Sequence, residues 1–311
     1  MQISDRSGRR MKLQDLHVLM TVVQAGSMSK AAALLNTSQS AISRSVAELE
    51  HTMGVPLLDR GARGVEPTHY GRALLKQGVV AFDALKQGVK DIEFLSDPGA
   101  GELRIGASAA LSEGIVAAVV GRLSRQYPRV VYQIVLGGTI ALFEALRSRD
   151  VELGFMRMSE PEDDLNHELL YEEPLVVVAG VHSPWHRRRN LKLADLLNEP
   201  WTWPAPGTFF DSLVVEAFRN SGLKPPRAAL YTDGINMRVK LATTARFLAI
   251  VPAGILKFSD KHASVRMLPV ELPTSHREIG IVTLKNRTLS PLAQLFIEYA
   301  RDVARPTTKR K

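Results

Sequence analysis

The sequence predicts an α+β protein of more than one domain: a helical N-terminal region, a long connecting helix, and a two-lobed α/β domain filling the rest. Three observations predict it. From Leu16 to residue 96, apolar side chains recur at three- and four-residue spacing, the repeat of helices buried along one side. Asp97-Pro98-Gly99-Ala100-Gly101 then has the composition of a linker. Beyond residue 102, strand-like and helix-like runs alternate in two rounds, the pattern of sheets covered by helices. The length agrees, since 311 residues make about two domains at roughly 100–200 residues each.

Composition removes several classes. Hydrophobic residues are 45% and charged residues 23%, an ordinary globular balance. No apolar run reaches the ~18 residues of a membrane-spanning helix, so a membrane is not among the expected partners. The chain has no cysteine, which excludes disulfides, thiolate nucleophiles, Cys–zinc sites and iron–sulfur clusters and fits a reducing cytoplasm. The net charge of +8, from 40 basic and 32 acidic residues, permits nucleic acid. Residues 1–96, however, hold only 12 Lys/Arg against 9 Asp/Glu, and Arg305, Lys309, Arg310 and Lys311 sit in a basic tail at 305–311. Charge alone therefore assigns nothing, and the argument rests on pattern.

Residues 1–10 read as a disordered lead-in. Arg9-Arg10, the apolar stretch from Leu16 to Val23 and Ala25-Gly26-Ser27 together imitate a twin-arginine export signal. Asp15 and His17 interrupt that stretch, and Leu16, Leu19, Met20 and Val23 have the spacing of one helix face. A helix inside the folded protein, in the cytoplasm, is the expectation. A second helix over 30–35 follows cap residues in Ser27-Met28-Ser29, and Asn36-Thr37-Ser38 breaks it. Ser38 caps a third helix from 39 to about 53, with Ile42, Val46, Leu49 and Met53 as its core stripe.

The opposite face of that third helix carries Gln39, Ser40, Ser43, Arg44 and Ala47. Two short helices around a tight polar turn, with such a face on the second, describe a helix-turn-helix over about 28–47. Glutamine can pair with adenine and arginine with guanine, serines can reach phosphates or bases, and small side chains allow close approach. The same pattern also describes the solvated face of an ordinary three-helix unit. Residues 55–68 read as a glycine-turned hairpin carrying Arg60 and Arg63, a wing beside the recognition helix. Arg60 is either a DNA contact or a brace to Asp59 or Glu66. Thr68 caps a helix to about residue 96, ~42 Å long at 1.5 Å per residue. Its seam of Leu74, Ala81, Leu85, Ile92 and Leu95 exceeds what a small winged domain (11–68) can bury. A homodimer through residues 68–96 is therefore expected, with 69–97 as linker.

Leu16 to Leu34, then Ser38-Gln39-Ser40-Ala41-Ile42-Ser43-Arg44, Leu49-Glu50, Leu57-Leu58-Asp59-Arg60 and Thr68-His69-Tyr70-Gly71 resemble the LysR-type transcriptional regulators over the whole N-terminal region. Serine stands at 40 where the family usually has proline, and leucine at 58 where it has phenylalanine. The resemblance implies a DNA interface of Ser38, Gln39, Ser40, Ser43, Arg44, Arg60, Arg63 and Thr68. It also implies double-stranded DNA as partner, assembly to a homotetramer, and a possible contact with RNA polymerase.

In the remaining two hundred residues, strands are expected at 102–106, 130–136, 151–156, 175–179, 228–232, 247–251 and 278–284. Helices are expected at 112–127, 140–149, 211–221, 236–244 and 291–303. Parallel sheets follow from the alternation. With crossings near Pro161 and Pro269, the domain 102–304 divides into lobe I (about 102–160 and 270–304) and lobe II (about 161–269). This resembles the type 2 periplasmic-binding-protein-like effector domain of the same family. Ligands of open sheets sit at the carboxyl ends of strands. That rule picks Ser108, Ala109, Gly138, Thr139 and Arg157 in lobe I, and Pro204, Gly207, Thr208, Asp233 and Asn236 in lobe II. Their hydroxyls and helix starts favour an anionic or polyhydroxy effector. Where the family often has a glycine pair, this chain has Ala245-Arg246.

No nucleotide loop, HExxH motif or nucleophile elbow occurs, and His182 and His186 lie in a Pro-Trp stretch beside Arg187-Arg188-Arg189 that reads as a solvated loop. No enzyme activity, catalytic residue, cofactor or metal is expected. The function read from the residues is sequence-specific transcription regulation modulated by a small molecule. The alternative is a solute-binding protein, which would have no use for residues 1–96.

Overall fold

The computed structural model describes residues 11–61, 64–158, 162–258, 264–273 and 277–308. The expected lead-in at 1–10, Arg63, and Lys309 to Lys311 lie outside the described residues. The chain forms two compact units that divide at Gly88 and Val89, inside the long helix rather than at the linker after it.

The first unit holds three helices, α1 (Leu13–Ala25), α2 (Met28–Leu34) and α3 (Gln39–Met53), then a hairpin of β1 (Leu58–Gly61) and β2 (Gly64–Pro67). Ile42, Val46 and Leu49 of α3 pack on Leu19, Val22 and Ala31, and Leu57 closes the core below them. Each such fully buried Leu, Ile or Val side chain contributes about 1.5–3 kcal/mol. The buried residues of α1 are Leu16, Val18, Leu19, Thr21 and Val22. Met20 and Val23, assigned to its core face from spacing, are only half-buried. Packing on both α3 and the long helix rotates the buried face, for Leu16 lies against Gly78 and His17 against Phe82. Ser45 fixes α3 to α1 with a 2.6 Å bond to Asp15.

The long helix α4 (His69–Ser96) is 28 residues. Its buried positions are Gly71, Gly78, Asp83 and Gln87. Of the anticipated seam, Leu85, Ile92 and Leu95 are exposed, Leu95 by 81%. At its end, Lys90 pairs with the buried carboxylate of Glu152, which also accepts from the Ser290 amide.

The second unit contains two five-stranded sheets. The first has the order β4-β3-β5-β12-β6, from β3 (Ala100–Ala107), β4 (Arg129–Leu136), β5 (Leu153–Arg157), β6 (Leu165–Glu173) and β12 (Arg277–Leu284). The second has the order β11-β7-β10-β8-β9, from β7 (Leu175–Gly180), β8 (Trp201–Trp203), β9 (Ala228–Tyr231), β10 (Leu248–Pro252) and β11 (Val265–Met267). Helices α5 (Ala117–Gln126), α6 (Thr139–Arg147) and α10 (Pro291–Thr308) cover the first sheet. Helices α7 (Phe209–Asn220), α8 (Ile235–Ala242) and the short α9 (Gly254–Lys257) cover the second.

Five differences from the sequence reading matter. The sheets are mixed, not parallel: β12 runs antiparallel to both β5 and β6, and β7 to both β10 and β11. Strands β6, β8 and β11 were not anticipated. Because β6 belongs to the first sheet, the chain crosses between lobes at Pro174 and not near Pro161. The expected helix at 112–127 is a turn at Ala109–Leu111 and a π-helical stretch at Ser112–Val116 leading into α5, with a kink at Gly114. The last helix extends to Thr308, so Arg305 is helical and pairs with Asp302 at 3.0 Å.

Candidate functional site

The α3 surface and the wing form the first candidate site. Ser38 caps α3 by accepting from the Ala41 amide at 3.2 Å, and its hydroxyl lies 2.9 Å from that of Ser40. Gln39 accepts a 3.0 Å bond from Ser29 of α2, which presets its side chain at the start of the helix. Ser38, Gln39, Ser40 and Arg44 are exposed and Ser43 is half-buried, so one polar face is open to a partner.

Arg60 is half-exposed, and the partner it reaches is Glu50 of α3 at 4.0 Å, rather than Asp59 or Glu66. Glu50 also accepts from the Leu57 and Leu58 amides at 2.7 and 3.1 Å, tying the recognition helix to the root of the wing. Its role was not read from the sequence, because its partners are backbone amides seven and eight residues ahead. Thr68 spends its hydroxyl locally, donating to Pro56 and accepting from Gly71 at the start of α4. Gly64 has φ +118° and would put a Cβ 2.7 Å from the Gly26 carbonyl. The close approach of the wing to the end of α1 thus requires glycine there.

The second candidate site lies between the lobes of the second unit, a cavity of ≈ 540 Å³. Ser108, Ala109, Gly138, Thr139 and Arg157 line it from lobe I, and Pro204, Thr208 and Asp233 from lobe II. Gly207 and Asn236 do not. Gly207 donates its amide to Asp211 at 2.9 Å, and Asn236 bridges the lobes by donating to Glu113 at 2.5 Å. Thr208 caps α7, accepting from Asp211 and donating to Ala205.

The sequence reading missed the cavity's most consequential group. Arg238 is 2% exposed, donates to the Ile250 carbonyl at 3.1 Å, and has no partner for its Nε. Its guanidinium lies 4.7 Å from the Phe210 ring centroid, and that of Arg157 lies 5.4 Å from the same ring. Burial pulls Arg238 down to about 10, with Asp233 opposing, so it is charged at neutral pH. Burial likewise lowers Arg157, while Glu173, 3.7 Å away, holds it up. Burial raises the Glu173 carboxyl, and Arg157 and the Gly254 amide counter it. The available signal was spacing: Arg238 falls three residues after Ile235 and four before Ala242, on the buried stripe of α8.

Elsewhere, His186 contacts the Gly180 carbonyl at 3.0 Å within a short turn, consistent with a loop. Among the described residues, no group of three or more histidine and acidic side chains could hold a metal, and no helix is long and apolar enough to cross a membrane.

A helix-turn-helix unit followed by a two-lobed α/β unit with a cavity defines a regulator with a ligand-binding domain. The chain belongs to the LysR family: residues 13–72 match the bacterial regulatory helix-turn-helix protein of that family, and residues 96–305 match the LysR substrate binding domain. It is thus a DNA-binding transcription regulator with a substrate-binding domain. Among similar proteins, the uncharacterized HTH-type transcriptional regulator YdcI of Escherichia coli is 29% identical, covering 94% of this chain and 96% of its own. The transcriptional dual regulator GltC of Bacillus subtilis is 26% identical over 93% and 96%. The fold is shared with a full-length OxyR variant from Pseudomonas aeruginosa (TM-score 0.64, 20% identity, 97% and 99% covered). It is also shared with CbnR complexed with its target DNA (TM-score 0.54, 21% identity, 94% and 100% covered). The relatives are transcriptional regulators, which removes the solute-binding alternative.

Proposed function

We propose that this regulator works in the cytoplasm, without enzymatic activity, as a homodimer paired through residues 68–96 that assembles further to a tetramer. Gln39, Ser40, Ser43 and Arg44 read bases and phosphates in the major groove, Ser38 and Thr68 set the helix starts beside them, and Arg63 serves the wing. Arg60 braces that wing through Glu50. A small molecule held between the lobes shifts the relative placement of the DNA-binding pairs, and with it any contact to RNA polymerase. It can do so only by its difference in affinity between the two arrangements.

The observation that carries this reading is the interlobe cavity, with a buried guanidinium in its wall, in the same chain as an exposed helix-turn-helix face. The experiment is fluorescence anisotropy on DNA from immediately upstream of the protein's own gene, against a scrambled duplex, across a salt series. A preference of ~10³-fold or more for the upstream DNA supports a specific regulator. No binding to either duplex at low salt would sink the reading.

A further inference from the structure

Taking the cleft as the effector site, as proposed above, we infer that its ligand is a small organic monoacid: one carboxylate on a compact apolar body, with Arg238 as the residue that selects the charge. Four observations support this.

The Arg238 guanidinium is almost wholly buried, lines the cavity and keeps an unmet donor. A buried donor without a partner is costly, and a carboxylate is the acceptor that best fits a guanidinium. The nine-residue helix α6 begins at the cavity with no side chain capping its first turn, so its amides are available to the same negative charge.

The charge ledger points to a single negative charge. Arg157 and Arg238 at the cavity face Glu173 and Asp233, and Arg277 beside Arg157 is itself paired with Glu216 at 3.2 Å, so the formal charges cancel. What remains is the partial positive end of α6, roughly half a charge. One carboxylate balances that remainder, whereas a dianion exceeds it.

Few free polar side chains remain in the cavity to hold a polyhydroxy ligand. The Thr208 hydroxyl bonds Ala205 and Asp211 and Asp233 accepts from Ala205, which leaves the two hydroxyls of Ser108 and Thr139 in the lobe I wall. The walls left to the ligand body are apolar, with Leu136, Met156, Phe209 and Ile235 among them, and the cavity volume suits a ligand of this size.

The test is calorimetric titration of the full-length protein with phenylacetate and 4-methylpentanoate, beside their neutral amides, the dianion phenylmalonate, and glucose. At least one acid is expected to bind ~10-fold or more tightly than its amide, and phenylmalonate more weakly than phenylacetate. Arg238→Gln should lower the acid's affinity about as much while leaving the amide's unchanged, and Arg238→Lys should recover part of it. Operator binding by the same preparations serves as the check on folding. If Arg238→Gln does not fold, the acid-to-amide ratio of the unaltered protein decides alone. Amides equal to acids, preference for the dianion or glucose, or no acid binding at millimolar concentration would each overturn the inference. Intact operator binding in those cases would leave the regulator reading standing, whereas absent operator binding would remove that reading instead.

Discussion

Glu50 shows how one side chain can serve two elements. A single carboxylate satisfies two amides at the wing root and steadies Arg60, so the angle between recognition helix and wing depends on it. Glu50→Ala is expected to cost ~1–3 kcal/mol in chemical denaturation of the first unit and to weaken DNA binding for any sequence. Arg44 has no such structural duty, being exposed on the open face of α3. Arg44→Ala should leave denaturation unchanged and remove ~1–3 kcal/mol of DNA affinity with relaxed base preference, read by anisotropy. An even loss across sequences with a shallower salt slope would show a phosphate contact instead. At the interlobe bridge, burial raises the Glu113 carboxyl and the Asn236 hydrogen bond holds it back. The native state then keeps this proton to higher pH than the unfolded chain, so the group's contribution is full below its ordinary value of 4.5 and declines as pH rises through the raised value. Glu113→Gln, which still offers Asn236 an acceptor, should raise the thermal midpoint at about pH 7 and leave it unchanged at about pH 4. A lower midpoint at both would show that the charge itself is needed.

The long helix is the element whose chemistry is unfinished within one chain. Leu85, Val89, Ile92 and Leu95, separated by four, three and three residues, leave an apolar stripe in water. In the dimer proposed above, a second copy of α4 would cover this stripe. Replacing Ile92 and Leu95 together by Glu is expected to give a monomer in sedimentation equilibrium with unchanged circular dichroism, because neither side chain supports its own chain's core. A dimer that survives the double substitution would move the interface elsewhere. Ala245 adopts φ +59°, the left-handed region favoured by glycine, at the position where the family often has a glycine pair.

The whole molecule is two units with separate cores, joined through one helix. Two transitions are expected in calorimetry of the full chain, one for each unit. A monoacid at about 100 times its dissociation constant should stabilise the second unit by ~2.7 kcal/mol and leave the first transition in place. A single transition that shifts as one would mean that the units unfold cooperatively.

Local chemistry made much of this protein legible in its sequence. Ser38 as a cap, the stripe of Ile42, Val46 and Leu49, the polar face beside it and the 28-residue helix all follow from side chains within a few turns of each other. Eight of the ten expected cavity residues line the cavity, because strand ends and helix starts are local features too. The tertiary structure alone decided the rest. A buried run such as Ile279 to Leu284 reads identically whichever way the strand runs, so only pairing with β5 and β6 set its direction. Arg238 became a cavity residue, and Asn236 a bridge to Glu113, through contacts with chain far away in sequence. Such contacts depend on where the folded sheets bring distant segments together, which the spacing of neighbouring residues does not encode.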